Sequence, residues 1–519
     1  MLAFSAEMAV QAGYRALPQW SRDCWAAAAV SGLRWAAPAF WSQQHSRWYS
    51  IPGQRCSGSK WRYEVDNVVK LMVHRVEIGY YNIATGVTLN TARPVTPDLF
   101  EEALMHLQKK VEFLQVCLPE RDGRMWVADM DMPKIDFQVM NGRVLKDGSL
   151  LDVVKSTTKG AFNLAEGPLW CARLVVCPPE EPCKLPQVKD AFPHQYHFAV
   201  HCHHATSDSR SAINMYQVFS TLLDNLLDGA QVDEKPIGEL RDRNEDRAIE
   251  AKMKETLEKD PQKLKVLLEE VSKRKTRVPL ITEAFGEPQE PYPDTISLPT
   301  EVLDYELLQV FIAKCKAHKV TVNSGFGGVL NAALVELVRE AGMVQDSYVI
   351  SSCHSVDTRR YMNDVKSLVW GYHACNMVHT METPCNVRKS FWKYVVDYDS
   401  KFHSHLNMKG PLQDRMLDHM VLATMPDRKQ KVIYDFFIVS LHSPQIESFG
   451  SGKHIQLSDF CSYSPLTKTD FGMVNAIVSF PDRVLFQPYM SSGFITKENA
   501  EKFVDKVIGM FYDISKTMD

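Results

Sequence analysis

Nothing in this 519-residue chain occurs in the excess that marks a specialised class. Lysine and arginine (59) do not outnumber aspartate and glutamate (63), and the formal charge is −4. With no basic surplus to meet a phosphate backbone, a dedicated nucleic-acid binder is excluded. No run of about 18 or more uncharged apolar residues occurs, so no membrane-spanning helix is expected. The 12 cysteines never fall in C-x-x-C spacing, against both a zinc ribbon and a secreted disulfide scaffold. A reducing intracellular compartment is then the default. Glycine (25) and proline (27) sit near average usage, which removes collagen-like and low-complexity readings. What remains is 45% apolar and 24% charged, enough for a large core and, by length, roughly two to four domains.

Residues 1–63 stand apart. Up to Lys60 they hold six basic residues against Glu7 and Asp23, the run Ala26 to Ala29, and five tryptophans. An Arg-rich, acid-poor start is the composition of a mitochondrial transit peptide. The alternative is a disordered or loosely docked extension of a cytoplasmic protein. Beyond it the pattern becomes globular. A first half is expected over 64–232, a charged crossover and linker over 233–300, and a second half over 301–519. Apolar alternation predicts strands at 68–71 and 76–81. Thr96-Pro97-Asp98 opens a helix, Thr96 capping and Pro97 in the first turn. Short strands follow at 125–138 and 168–177, a strongly alternating one at 195–204, and a helix from 210 to 227 stopped by Gly229. The mixed-charge run of 233–277 reads as a solvated helix, and the prolines of 279–299 as a linker. Helices at 304–317, 324–340 and 497–515, and strands at 347–356, 432–442, 472–480 and 483–489, fill the second half. Mixed strands and helices in each half predict an α/β chain of α+β two-layer sandwiches.

The most informative segment is Tyr196-His-Phe-Ala-Val-His-Cys-His-His204. On a strand, Phe198, Val200, Cys202 and His204 share one face, and His197, His201 and His203 the other. Three readings compete. A strand rich in histidine by chance, with Asp208 capping the next helix, needs no function. His197, His201 and His203 could ligate a metal, although no second ligand cluster accompanies them. His204, at the end of an apolar face, suits a general base whose pKa lies near neutrality.

His203-His204-Ala205-Thr206-Ser207-Asp208-Ser209 matches the HHxxxDG motif, and here the chain resembles the CoA-dependent acyltransferase superfamily. Its members include chloramphenicol acetyltransferase, carnitine acyltransferases, BAHD acyltransferases, alcohol acetyltransferases and peptide-synthetase condensation domains. Order along the chain supports the match: Gly167 to Leu174 stands where the preceding strand would be, and Ser209 to Tyr216 where the following helix would be. Val356-Asp357-Thr358-Arg359-Arg360-Tyr361 with Trp370-Gly371 resembles the Asp-x-Arg strand, and Phe437-Ile-Val-Ser-Leu441 the strand that often reads VSNLG. Asp470-Phe471-Gly472 resembles the start of DFGWG. Ser209 replaces the motif glycine, Leu441-His442 stands where Asn-Leu is usual, and Met473-Val474 replaces Trp-Gly, departures that weaken the BAHD branch and leave the alcohol-acetyltransferase and condensation-like branches.

The resemblance implies two chloramphenicol-acetyltransferase-like halves around a central tunnel. It implies an acyltransferase, with acyl-CoA as co-substrate and no bound cofactor or metal. His204 would be the base. Asp208 would support the motif by pairing with an arginine, Arg359 in preference to Arg360. His203, Ser209, Arg359, Ser440, Asp470 and Gly472 would line the motif and tunnel. The chain would act as a monomer on a small-molecule acceptor, without nucleic acid, or with a carrier protein supplied in trans. A non-catalytic scaffold that kept the fold is the alternative.

Overall fold

A computed structural model describes residues 47–50, 60–140, 149–158, 160–178, 183, 186–288, 293–365, 368–422, 432–441, 451–466, 471–480 and 483–516. Most of the expected extension, and with it the transit-peptide reading, lies outside these residues. The exceptions are Arg47–Ser50, pairing antiparallel with Lys134 to Phe137 at the edge of a sheet, and Trp61–Glu64, pairing antiparallel with Arg124–Asp129.

Two large mixed sheets organise the chain. The first runs Arg47–Ser50, Lys134–Met140, Trp170–Val176, His194–Cys202, Ala84–Thr91, Ile455–Tyr463. The second has seven strands, with Thr295–Ser297 and Glu301–Leu303 both on Val484–Ser491, followed by Met473–Ser479, Phe436–Leu441, Ser347–Asp357 and Ala374–Pro384. The expected α/β class stands. The last strand of the first sheet comes from the second half of the chain, so the boundary near 301 does not separate the two sheets.

Alternation decides the faces of the central strand His194–Cys202. Phe198, Val200 and Cys202 turn into a core shared with Phe219, Tyr216 and Phe100 of the helices Ser209–Leu227 and Pro97–Lys110. Ala199 turns the other way, against Val153 and Val154 of the helix Leu150–Thr157. Thr96 accepts a hydrogen bond from the Leu99 amide, with Pro97 as the first helical residue. In the second half, the helices Tyr305–Ala317, Val322–Glu340, Phe391–Asn407 and Lys497–Lys516 bury one face against the larger sheet.

Three expectations are corrected. Residues 68–71 and 76–81 are not strands: Asn67–Glu77 is a helix, because Met72, Val73 and Val76 are buried at helical spacing and Asp66 accepts from the Val69 amide. The 279–299 linker contains the helix Leu280–Phe285 and the strand Thr295–Ser297, where Leu280 and Ile281 are buried. The charged crossover forms the helices Asn244–Glu258 and Pro261–Thr276, and it is not wholly solvated, since Arg243 and Asp246 are 5% and 1% exposed. Among the described residues, no helix is long and apolar enough to cross a membrane.

Candidate active site

The motif strand stops at Cys202, and His203 to Thr206 form a turn before the helix Ser209–Leu227. The strand therefore ends two residues earlier than expected. Its end is what frees His204. A strand position would have fixed its ring against the core. In the turn, Nδ1 lies 2.7 Å from the Ser207 carbonyl oxygen. A carbonyl can only accept, so Nδ1 carries the hydrogen and Nε2 keeps its lone pair. No protein group bonds Nε2 among the described residues. Burial pulls the imidazole below its ordinary pKa, while the Ser207 bond and the Asp208 charge oppose that pull. The ring is neutral at pH 7.

The other three histidines differ. His197 Nδ1 meets Thr88 Oγ1 at 2.9 Å, and His201 Nδ1 meets the Thr157 carbonyl at 3.0 Å. His203 Nδ1 accepts from the Ala205 amide at 3.2 Å. Burial presses His201 to about 4 and His203 to about 3, and the Nε2 atoms of both are sealed without a partner. Alternation does not gather these rings into one ligand shell. Among the described residues, no three His, Cys, Asp or Glu side chains are grouped to hold a metal ion.

Asp208 caps the helix by accepting from the Ser211 amide at 2.9 Å. Arg359 reaches it from the second half, Nη1 to Oδ2 at 2.8 Å and Nη2 to Oδ1 at 3.2 Å, and the His373 amide donates to Oδ2 at 2.8 Å. Burial would raise this carboxyl, but the Arg359 charge and hydrogen bonds outweigh it and hold it at about 2. Arg359 also donates to Asp357 Oδ1, Ser211 Oγ and the carbonyls of Val369 and Gly371. Every nitrogen of the guanidinium is engaged, and both carboxylate oxygens of Asp208 are held by it. Arg360 takes no part. Gly371 is needed here: its φ is +123°, and a Cβ would lie 3.0 Å from the His373 ring and 3.2 Å from the Arg241 carbonyl.

Ser440, on Phe436–Leu441, borders a cleft of about 570 Å³ and a smaller one of about 140 Å³. Its Oγ is buried without a hydrogen-bond partner among the described residues. The two clefts share Arg210, Ser355 and Asp357, and the smaller is also lined by Asp208 and the half-buried Ser209. His204 borders neither. Gly472 lies under Phe494, whose ring would be struck by any Cβ, so it serves close packing. Asp470 and His442 lie outside the described residues.

Two residues escaped the sequence reading. The rings of Tyr81 and Tyr372 stand 6.2 Å and 5.2 Å from the His204 ring, one from each half. Tyr372 follows the quoted Gly371 directly, which was a usable signal. Tyr81 carried none, since it holds a left-handed φ of +51° that its sequence does not advertise.

No family model and no curated protein matches the chain. Solved structures do. The first condensation domain of the calcium-dependent antibiotic synthetase superposes with a TM-score of 0.61 at 13% identity, covering 88% of this chain and 96% of that one. The trichothecene 15-O-acetyltransferase of Fusarium sporotrichioides gives 0.58 at 12% identity, over 90% of this chain and 98% of the enzyme. The starter condensation domain of rhizomide synthetase, solved with C8-CoA and Leu-SNAC, gives 0.57 at 11%, over 88% and 94%. The chain therefore has the two-lobed, chloramphenicol-acetyltransferase-like fold that condensation domains and this acetyltransferase share.

Proposed function

We propose that the protein moves an acyl group from acyl-CoA to a hydroxyl or amine of a small-molecule acceptor, with His204 as general base and no acyl-enzyme. One observation carries this reading. The Ser207 carbonyl fixes the His204 tautomer, so a neutral Nε2 lone pair is presented with no protein partner among the described residues. Nε2 takes the acceptor's proton as its oxygen or nitrogen attacks the thioester carbonyl. The tetrahedral oxyanion then collapses, the C–S bond breaks, and the departing thiolate receives the proton from His204. Ser440, with its buried and unbonded Oγ, is our candidate donor to the oxyanion. Base catalysis is worth about 10²–10⁴-fold, so positioning of both substrates supplies much of the remainder. The fold's neighbours support the chemistry, since one is named an acetyltransferase and one was solved with an acyl-CoA.

The condensation-domain neighbours favour a second reading, in which the thioester arrives on a carrier protein. Incubation with an acyl-CoA panel and a metabolite extract, reading free thiol and product mass, tests both. Release from acyl-CoA above the His204→Ala background supports the first reading. Release only from acyl-N-acetylcysteamine thioesters, which stand in for a carrier arm, supports the second. No release from any donor leaves a scaffold.

A further inference from the structure

The acyl-transfer chemistry leaves one group unused. His354 is 2% exposed, yet it borders the larger cleft. Its Nε2 lies 3.0 Å from Ser352 Oγ and 3.1 Å from the Tyr398 hydroxyl. Ser352 directs its own hydrogen to the His379 carbonyl at 3.2 Å, so toward His354 it accepts, and we assign the ring hydrogen to Nε2, shared with the Tyr398 hydroxyl oxygen. Nδ1 is then a lone pair without a partner among the described residues, on a ring that borders the cleft. The placement is rigid, because Tyr398 packs so close to Gly327 that a Cβ there would lie 2.5 Å from its hydroxyl. Burial, with the neighbouring His379 ring, holds His354 well below its usual pKa. It is an acceptor at neutral pH.

Charge along the same cleft is nearly balanced. Arg210 faces Asp357 at 3.6 Å, Arg359 is consumed by Asp208 and Asp357, and His403 faces Asp399 at 3.4 Å. Arg360, exposed and lining the cleft, has no ion pair or hydrogen bond among the described residues. The remaining lining is largely apolar, with Leu368, Val369, Phe402, Leu406 and Ile438.

We propose that this cleft binds an anionic amphiphile. Arg360 pairs with its carboxylate or phosphate, the apolar lining holds its body, and His354 Nδ1 accepts from a hydroxyl or amine on it. The cleft does not border His204, and binding there is read without the proposed acyl transfer. The probe is 2-(p-toluidinyl)naphthalene-6-sulfonate, which joins an anion, an apolar body and an N–H donor, titrated by fluorescence into the full chain. N-phenyl-2-naphthylamine lacks the anion, and 2-naphthalenesulfonate, used as a competitor, lacks the donor.

Arg360→Gln should weaken the sulfonate probe about fivefold and leave the neutral amine unchanged. His354→Gln should weaken both N–H ligands and spare 2-naphthalenesulfonate. Should His354→Gln fail to fold, Val365→Trp, at a 44% exposed position on the cleft, should weaken all three. Unchanged probe affinity in Arg360→Gln, or an equal loss for the neutral amine, overturns the anionic subsite. Unchanged affinity in Val365→Trp shows that the probe binds elsewhere and overturns the site. Binding that follows this pattern in a protein without transfer activity upholds the site and refutes the acyltransferase.

Discussion

Two buried carboxylates tie the first half of the chain to the second, and they are satisfied to different degrees. Asp208 receives two donors on each oxygen, from Ser211 and Arg359 on Oδ1 and from Arg359 and His373 on Oδ2. Asp246, in the crossover helix, gathers Arg243 at 3.0 Å, Arg415 at 3.4 Å and Thr358 at 3.0 Å on Oδ2 alone, and its Oδ1 is buried without a partner. The two knots meet at one turn, since Thr358 serves the second and Arg359 the first. A tether tolerates an idle oxygen. A turn that holds the proposed base at a fixed angle would not, and there each carboxylate oxygen takes two donors.

The largest effect separates chemistry from either knot. His204→Ala should lower turnover by about 10²-fold or more with an unchanged melting temperature. A loss of only a few-fold at saturation would remove it as the base. Next comes the motif knot: Asp208→Ala leaves the buried Arg359 with only the solvent-facing Asp357 at 3.0 Å as counter-charge and orphans the His373 amide, costs about 3–5 kcal/mol and lowers activity with soluble yield. Its coupling to Arg359→Ala in a double-mutant cycle should be strongly non-additive, and additive losses would show that the pair is not a unit. Asp246→Ala should cost less, about 1–3 kcal/mol, because Arg243 keeps Asp66 at 3.2 Å and Arg415 keeps Glu250 at 2.7 Å. The folded fraction should retain full turnover, and a turnover deficit there would make the second knot part of the active site.

Acid titration sharpens the same contrast. Asp208 is held at about 2 in the fold against 3.8 when unperturbed. Its contribution to stability is therefore complete above about pH 4 and disappears as pH falls toward 2. Chemical denaturation in that window should show a steeper loss for the parent than for Asp208→Asn. The acid limb of kcat/KM should likewise lie below the ordinary histidine value of 6.5, because burial lowers the His204 pKa. The smallest effect belongs to His203→Ala, whose ring is 1% exposed with a sealed Nε2 and should cost stability more than turnover. Equal activity losses in the two histidine variants would erase the distinction between the rings.

The motif turn was legible because its parts are local: a strand end, a cap and a helix start obey short-range rules, and Thr96 and Asp208 both cap as their neighbours demand. Arg359 was legible only through a family pattern, since 151 positions separate it from Asp208. The crossover knot was hidden by averaging. A run of mixed charge looks solvated, and nothing in it distinguishes Asp246 from Asp242 except which side of the helix meets Arg415. The helix Asn67–Glu77 was missed for the opposite reason: its valines favour strand locally, and burial of one face overrides that preference. His354 had no local signal, because its value lies in a hydroxyl that has already given its proton away.

The strand Ile455–Tyr463 sets a timetable for synthesis. Its partner Ala84–Thr91 emerges 364 positions earlier, counting from Thr91 to Ile455. At about 5–20 residues per second, that edge waits roughly 20–70 s with its backbone unpaired. The first lobe cannot finish alone, and a fragment ending at the crossover should aggregate through that edge. Nascent chains stalled before residue 455 become natural clients for chaperones, although Ser207, Asp208, Arg359 and His373, which hold the His204 turn, have by then been made.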